Sequence, residues 1–419
     1  LCPLKAVKSA SQRAFNPLLC RSWQARKRSM LSKFQQFSIA PALGFCLLLF
    51  GFWGFASAAE VVIQSTPDGG LQPRLSVDNQ GGVHLLYFKK RINTPAAREG
   101  NLYYRQYNVE SGQFGLPVKV SSDAFAMQTF SIARASMTTT DDGRIHVLWY
   151  YPRSSEFIYS RSNPERTSFE RQRSIVQINT EGIDAGGDIA AIGSQVAIIW
   201  GAGDLSLEHQ RTMFARFSYD SGVSFGEEAS ISNPDLGACA CCSLAAEYLN
   251  DNDLLVAYRS AIDGIGRHMQ LLTVTSADKE LSGASYGSMR ELQKWDASYC
   301  PLSTNDIVRG DNGQLWLAFE TESRIVQLDL RNQEVIAKLA EPYLETRQKN
   351  PTIAINKEGD RLVAWGEAIS HARGGRMNMR IVDKEGFNTG FELAEEIRID
   401  DYSFPAAVAF PDGNFLVLH

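Results

Sequence analysis

Beyond residue 60 one pattern keeps returning: a short apolar alternation, a turn carrying Asp, Asn or Gly, and a second alternation ending in an aromatic residue. The first copy runs Pro73-Arg74-Leu75-Ser76-Val77-Asp78, turns at Gly81-Gly82 and continues from Val83 to Tyr87. The second turns at Asp141-Asp142-Gly143 and reads Ile145-His146-Val147-Leu148-Trp149. Later copies end at Trp200, Tyr258, Phe319 and Trp365, and a seventh runs from Phe404-Pro405 to Phe415-Leu416-Val417-Leu418. Alternation of period two broken by turn residues is the pattern of hairpins. The landmark aromatics recur every 46 to 62 residues, a spacing that suits four-stranded blades with variable loops. No long helical periodicity competes. An all-β array of this period closes most simply into a β-propeller, because closure leaves few bare strand edges. Seven inner hairpins predict seven blades, with six as the alternative count. Residues 60–65 resemble the outermost strand at 117–121 and are expected to join the hairpin at 404–419, so that the first and last segments close the ring together.

The start of the chain stands outside these repeats. Residues 1–29 are basic and without periodic pattern, and read as sequence upstream of the true start. From Met30 the chain has the parts of a secretory signal: Lys33 in a positive leading region, an apolar stretch from Ile39 to Phe55, and the small residues Ala56-Ser57-Ala58-Ala59. The expected division is therefore 1–29 upstream, 30–59 signal peptide and 60–419 propeller, the mature protein being periplasmic or extracellular and not an integral membrane protein. A retained anchor is the rival, but the strongly apolar segment 43–55 falls short of the roughly 20 residues a membrane span needs. A net charge of -5 argues against a nucleic-acid partner, which calls for a basic face.

Export makes the cysteines informative. Cys2, Cys20 and Cys46 fall in the discarded region, leaving Cys239, Cys241, Cys242 and Cys300. In a propeller the loop leading into each innermost strand lies at one mouth of the central channel. The first three cysteines precede the fourth inner strand and Cys300 precedes the fifth, so neighbouring blades should carry all four to one rim. Three readings compete. One is a disulfide from Cys300 to Cys241 or Cys242, with room for a second, strained local bridge, adjacent or near-adjacent pairs being geometrically awkward. Another is a thiolate metal site, whose soft sulfur ligands favour Cu(I) or Zn. The third, a redox-active dithiol, is the least supported, because the cluster reads as a compact C-x-C-C run and not as a C-x-x-C motif.

Ser218-Tyr219-Asp220-Ser221-Gly222-Val223-Ser224-Phe225 fits the pattern S-x-D-x-G-x-[ST]-[FW]. Its chemistry is structural: Asp220 can accept bonds across a tight turn closed by Ser218 and Ser224, Gly222 permits positive φ, and Phe225 packs beneath. This stretch resembles the Asp-box of sialidase-like (BNR repeat) propellers, with degenerate cousins at 108–112 and 162–169. The run Cys239-Ala240-Cys241-Cys242 with Arg259, Arg267, Trp295 and Cys300-Pro301 is similar to a group of bacterial exported sialidase-like propellers. It departs from them after Pro301, where Leu302-Ser303 follows. The resemblance implies the propeller fold and no settled activity.

True sialidases need an arginine triad that grips a carboxylate bidentately, a Tyr nucleophile backed by Glu, and an Asp acid/base. Their first arginine sits in an Arg-Ile-Pro motif, and here Leu71-Gln72-Pro73 stands in its place. Arg74 lies beyond the proline and is expected on the wrong face. The resemblance therefore argues against ordinary sialidase catalysis, with a rearranged glycoside hydrolase as the alternative. The channel mouth is expected to present Arg134, Asp184, Asp188, Asn350 and Tyr402, with Arg259 and Arg267 beside the fourth blade's hairpin. Mixed Arg, Asp and Tyr suit a polar, anionic or carbohydrate-like ligand. His84 and His146 occupy equivalent strand positions and read as repeat packing.

Overall fold

The computed structural model describes residues 59–419 apart from 128–133, 185, 241, 276–286, 298, 332–338, 341–345, 369 and 371–372. The expected signal segment through Ala58 and the cysteines at 2, 20, 46 and 241 lie outside the described residues. The strands assemble into seven antiparallel-built sheets. Their innermost strands are Leu71–Val77, Ser136–Thr139, Gly187–Ile192, Ala245–Tyr248, Asn305–Arg309, Arg347–Ile355 and Ala406–Ala409. Each contacts the next around the ring, and the seventh contacts the first. The chain is a seven-bladed β-propeller.

The repeated aromatics explain why the blades form where they do. Tyr87, Trp149, Trp200, Tyr258, Phe319 and Trp365 all lie on second strands and are at most 2 % exposed. Alternation puts one face of each blade against its predecessor and the other against its successor. The buried apolar residues accordingly fall into seven clusters, each shared by two adjacent blades. The core is a ring of interfaces with no single centre.

Closure comes from the first strand. Val61–Gln64 pairs parallel with Phe415–Leu418 in register Val61↔Phe415 to Gln64↔Leu418, completing a three-stranded seventh blade. All other ladders between described strands are antiparallel. Glu60 N–H donates to Asn414 Oδ1 at 2.9 Å, and Thr66 N–H to the His419 carbonyl at 2.8 Å, fastening both ends of this pairing.

The turn at 218–225 joins the third and outer strands of blade three. Asp220 accepts from Ser224 N–H (3.0 Å) and Ser224 Oγ (2.6 Å), and Ser218 Oγ accepts from Gly222 N–H (2.9 Å). Gly222 has φ 74, and a Cβ there would meet the Tyr159 hydroxyl at 1.9 Å, so the site requires glycine twice over. Arg161 and Arg173 of blade two donate to the Ser221 and Gly222 carbonyls at 2.6 and 2.7 Å. Phe225 packs edge-on to Tyr159, ring centres 5.2 Å apart. The turn thus fastens one blade to the next.

Candidate functional site

The first inner strand does not run as simple alternation implies. Its register against the second strand slips between Leu71 and Arg74, with Gln72 at φ 54 just before Pro73. One extra residue reverses the parity of everything after it. Arg74, expected to face away, therefore points into the channel and pairs with Asp306 of blade five at 2.7 Å. Leu71 is buried in the interface between blades one and two. The sixth inner strand repeats the device: it slips between Lys349 and Thr352, with Asn350 at φ 53 before Pro351.

Most residues expected to offer themselves to a ligand at the mouth are engaged by the protein. Arg134 is buried, donates to the Asn305 carbonyl at 3.2 Å, and lies 5.4 Å over the Phe404 ring. Burial, with the neighbouring Arg74 charge, pushes its pKa down to about 10. Asp188 accepts from Ala246 N–H of blade four at 2.9 Å, and Asp306 accepts from Ile353 N–H of blade six at 3.0 Å. Asn350 accepts from Thr304 N–H and donates its own N–H to Ser303 Oγ (3.3 and 3.4 Å). The Tyr402 carbonyl accepts from Gln72 Nε2 at 3.1 Å, and its ring lies 5.2 Å from the Arg98 guanidinium. Asp184 is half-buried beside blade three. Arg134 and Asp188 thus converge on the channel axis, while Asn350 and Tyr402 serve as joints between blades.

Asp306, Glu247 and Arg309 were not singled out from the sequence. The available signal was positional: Asp306 is second in its inner strand, as Asp188 is in its own. These residues line a cavity of about 1090 Å³ that follows the inner strands from Arg74, Asp188 and Asp306 to the turns at 78–81, 141–143 and 311–313. Glu247 lies 3.5 Å from Arg309, and burial, partly offset by Arg309, pushes its carboxyl up to about 7.

The cysteines occupy the loops leading into blades four and five. Cys239 Sγ lies 3.3 Å from Cys242 Sγ and 3.7 Å from Cys300 Sγ. Cys242 is a thiol that accepts a hydrogen bond from Cys239, so the expected bridge from Cys300 to Cys242 is not formed. The alternative bridge to Cys241 lies outside the described residues. All three sulfurs sit within 4.8 Å of one another, a spacing that could hold a metal ion, but Cys300 is itself disulfide-bonded and offers no thiolate in this state. A second correction concerns spacing: Cys239 and Cys242 are three residues apart, so the run does contain C-x-x-C.

Arginines surround this cluster. Arg267 pairs with Glu208 at 2.6 Å, and Glu208 also accepts from Ala240 N–H at 3.0 Å, which fixes the cysteine loop. Arg259 donates to the Arg267 carbonyl at 3.2 Å and to the Glu320 carbonyl, and lies 5.1 Å from the Trp295 ring. Behind it, Lys349 and Glu320 form a buried pair at 2.9 Å.

No known family model matches the sequence, and no curated protein does. Among solved structures the chain is similar to a protein of unknown function from Dyadobacter fermentans, at 13% identity over 77% of this chain and 96% of that one, TM-score 0.49. It is also similar to a Penicillium chrysogenum α-L-arabinanase, at 10% identity over 77% of this chain and 95% of that one, TM-score 0.46. A Hadza microbial sialidase is similar at 12% identity, TM-score 0.46, over 75% of this chain and 66% of its own length.

Proposed function

We propose that the protein is an exported binding propeller that takes a polar or anionic, carbohydrate-like ligand in its central channel and does not run ordinary sialidase chemistry. One observation carries the reading: the arginines a carboxylate clamp would need are already committed. Leu71 fills the first position, Arg74 and Arg134 converge on blade five at Asp306 and the Asn305 carbonyl, and Arg259 and Arg267 hold the cysteine loops. A guanidinium that satisfies an internal carboxylate must break that pair before gripping a substrate, and breaking a buried pair is costly. The roomy part of the channel offers Glu247 and Arg309 beside Asp188, a donor and acceptor set suited to hydroxyl groups.

The test is calorimetric titration of the purified protein with neutral sugars, a hexuronic acid and free sialic acid, alongside turnover of a fluorogenic sialoside. Binding of at least one sugar, weakened about tenfold or more in Arg309→Ala through loss of a charged hydrogen bond, with no sialoside turnover, is the expected result. Sialoside hydrolysis abolished by removing Arg74 or Arg134 would establish the glycoside hydrolase alternative. No binding to any member of the panel would remove the channel as the site.

A further inference from the structure

A second chemistry is built into the rim of blade four and does not depend on the channel reading. Cys239 and Cys242 are both thiols, 8 % and 5 % exposed, with Cys239 donating to Cys242 across 3.3 Å. The backbone N–H groups of Leu302 and Ser303, in the loop leading into blade five, favour negative charge on the Cys242 sulfur. Leu302, in an irregular loop, has φ 51, and a left-handed residue can bring neighbouring N–H groups to one side, as in an anion-binding nest. The Arg259 charge lies on the same side. Burial alone would push the Cys242 thiol up; the Cys239 bond, Arg259 and the two N–H groups outweigh it and bring it down. The same bond and burial push Cys239 well up. Cys239 donates and Cys242 accepts across their contact, so negative charge is favoured on Cys242 while Cys239 keeps its proton, the division of labour an attacking and a resolving cysteine require.

What can reach them is set by the space available. Cys239, Cys242, Arg211 and Arg259 line a pocket of about 10 Å³, roughly the room taken by one water-sized molecule. A protein disulfide does not fit there, so an oxidant that meets these sulfurs has to be very small, and among two-electron oxidants hydrogen peroxide is one of the smallest. We propose that Cys239 and Cys242 form a dithiol–disulfide couple oxidised by hydrogen peroxide, with Cys242 attacking and Cys239 resolving. The Cys242 thiolate attacks one peroxide oxygen, the O–O bond breaks, and hydroxide leaves and takes up a proton to become water. Cys242 is then a sulfenic acid. Cys239 sulfur attacks Cys242 sulfur, the S–O bond breaks, and the departing hydroxide leaves as water with the Cys239 proton. Two thiols lose two electrons, and one peroxide becomes two waters.

The experiment uses the reduced full chain, treated with one equivalent of hydrogen peroxide, alkylated and mapped by mass spectrometry. A bridge between Cys239 and Cys242 with loss of two alkylatable thiols is expected. Cys242→Ser should slow peroxide consumption by about tenfold or more, since the thiolate is the nucleophile. Cys239→Ser should trap a dimedone-reactive sulfenic acid on Cys242, a readout made on the folded variant and independent of the first. Three outcomes overturn the proposal: both thiols remaining alkylatable after peroxide, a bridge mapped from Cys242 to Cys300, or a stoichiometric zinc or copper ion in the purified protein that masks both sulfurs.

Discussion

His146 shows how a single repeated side chain contributes to the fold. It is fully buried, with Nδ1 2.7 Å from the Tyr159 hydroxyl and Nε2 2.8 Å from Thr140 Oγ1. His84 does the same work in blade one, 2.8 Å from Tyr104 and 3.0 Å from Asp78. The shared strand position identified both as packing residues, and their partners are the tyrosines of the next strand. Burial pulls His146 down from 6.5 to about 3. Because the folded value is lowered, the unfolded chain binds the proton first as pH falls. Stability is therefore intact above about 6.5 and drains away as pH drops toward 3, by about 2 kcal/mol at pH 5. Urea unfolding at pH 7 and pH 5 should show His146→Gln less stable than the parent at neutrality but with a shallower loss on acidification. An unchanged difference between the two pH values would contradict the assignment. The cysteines were less legible at this scale: which sulfur meets which depends on the Glu208–Arg267 pair that orients their loop, and those residues are distant from them in sequence.

At the scale of the strand, legibility followed regularity. Apart from the slips at Gln72 and Asn350, inner and second strands alternate, and the second strands carry the buried aromatics Tyr87, Trp149, Trp200, Tyr258, Phe319 and Trp365, so that with the hairpin ending at Leu418 seven blades could be read. The outer strands Arg173–Ser174, Ala229–Ser230 and Arg398–Ile399 are two residues long and carry no period. The direction of Arg74 was misread because one bulged residue at Gln72 inverts parity, and a bulge leaves no mark in an apolar pattern. The joining of residues 60–65 to the last hairpin, by contrast, was readable from likeness to 117–121, and the pairing of Val61–Gln64 with Phe415–Leu418 bears it out. Val61 and Ile63 pack on the cluster between blades six and seven. Replacing both by Asp should lower stability by about 2–4 kcal/mol through burial of unpaired carboxyls, with hydrogen exchange accelerating first in residues 415–418. Uniform acceleration across all blades would mean that this strand is no separate latch.

The whole molecule is a ring of interfaces in which successive blades are held by side chains reaching to a neighbour, as Asp188, Asp306 and the turn at Gly222 do. Arg74 and Arg134 go further and span the channel to blade five. Among the described residues no helix is long and apolar enough to cross a membrane. Export remains part of the proposal, and its test belongs to the full chain. A reporter active only outside the cytoplasm, fused after residue 60, should be active in a bacterial host, and inactive when residues 30–59 are removed. Activity without that segment would refute the signal reading.

The parallel pairing of the first strand with the last also has a mechanical side. Tension applied before Val61 and after Leu418 pulls these two strands in opposite directions along their common axis. The load then falls on all their cross-strand bonds at once and cannot peel them one at a time, so the ring resists stretching at the seam where it was joined.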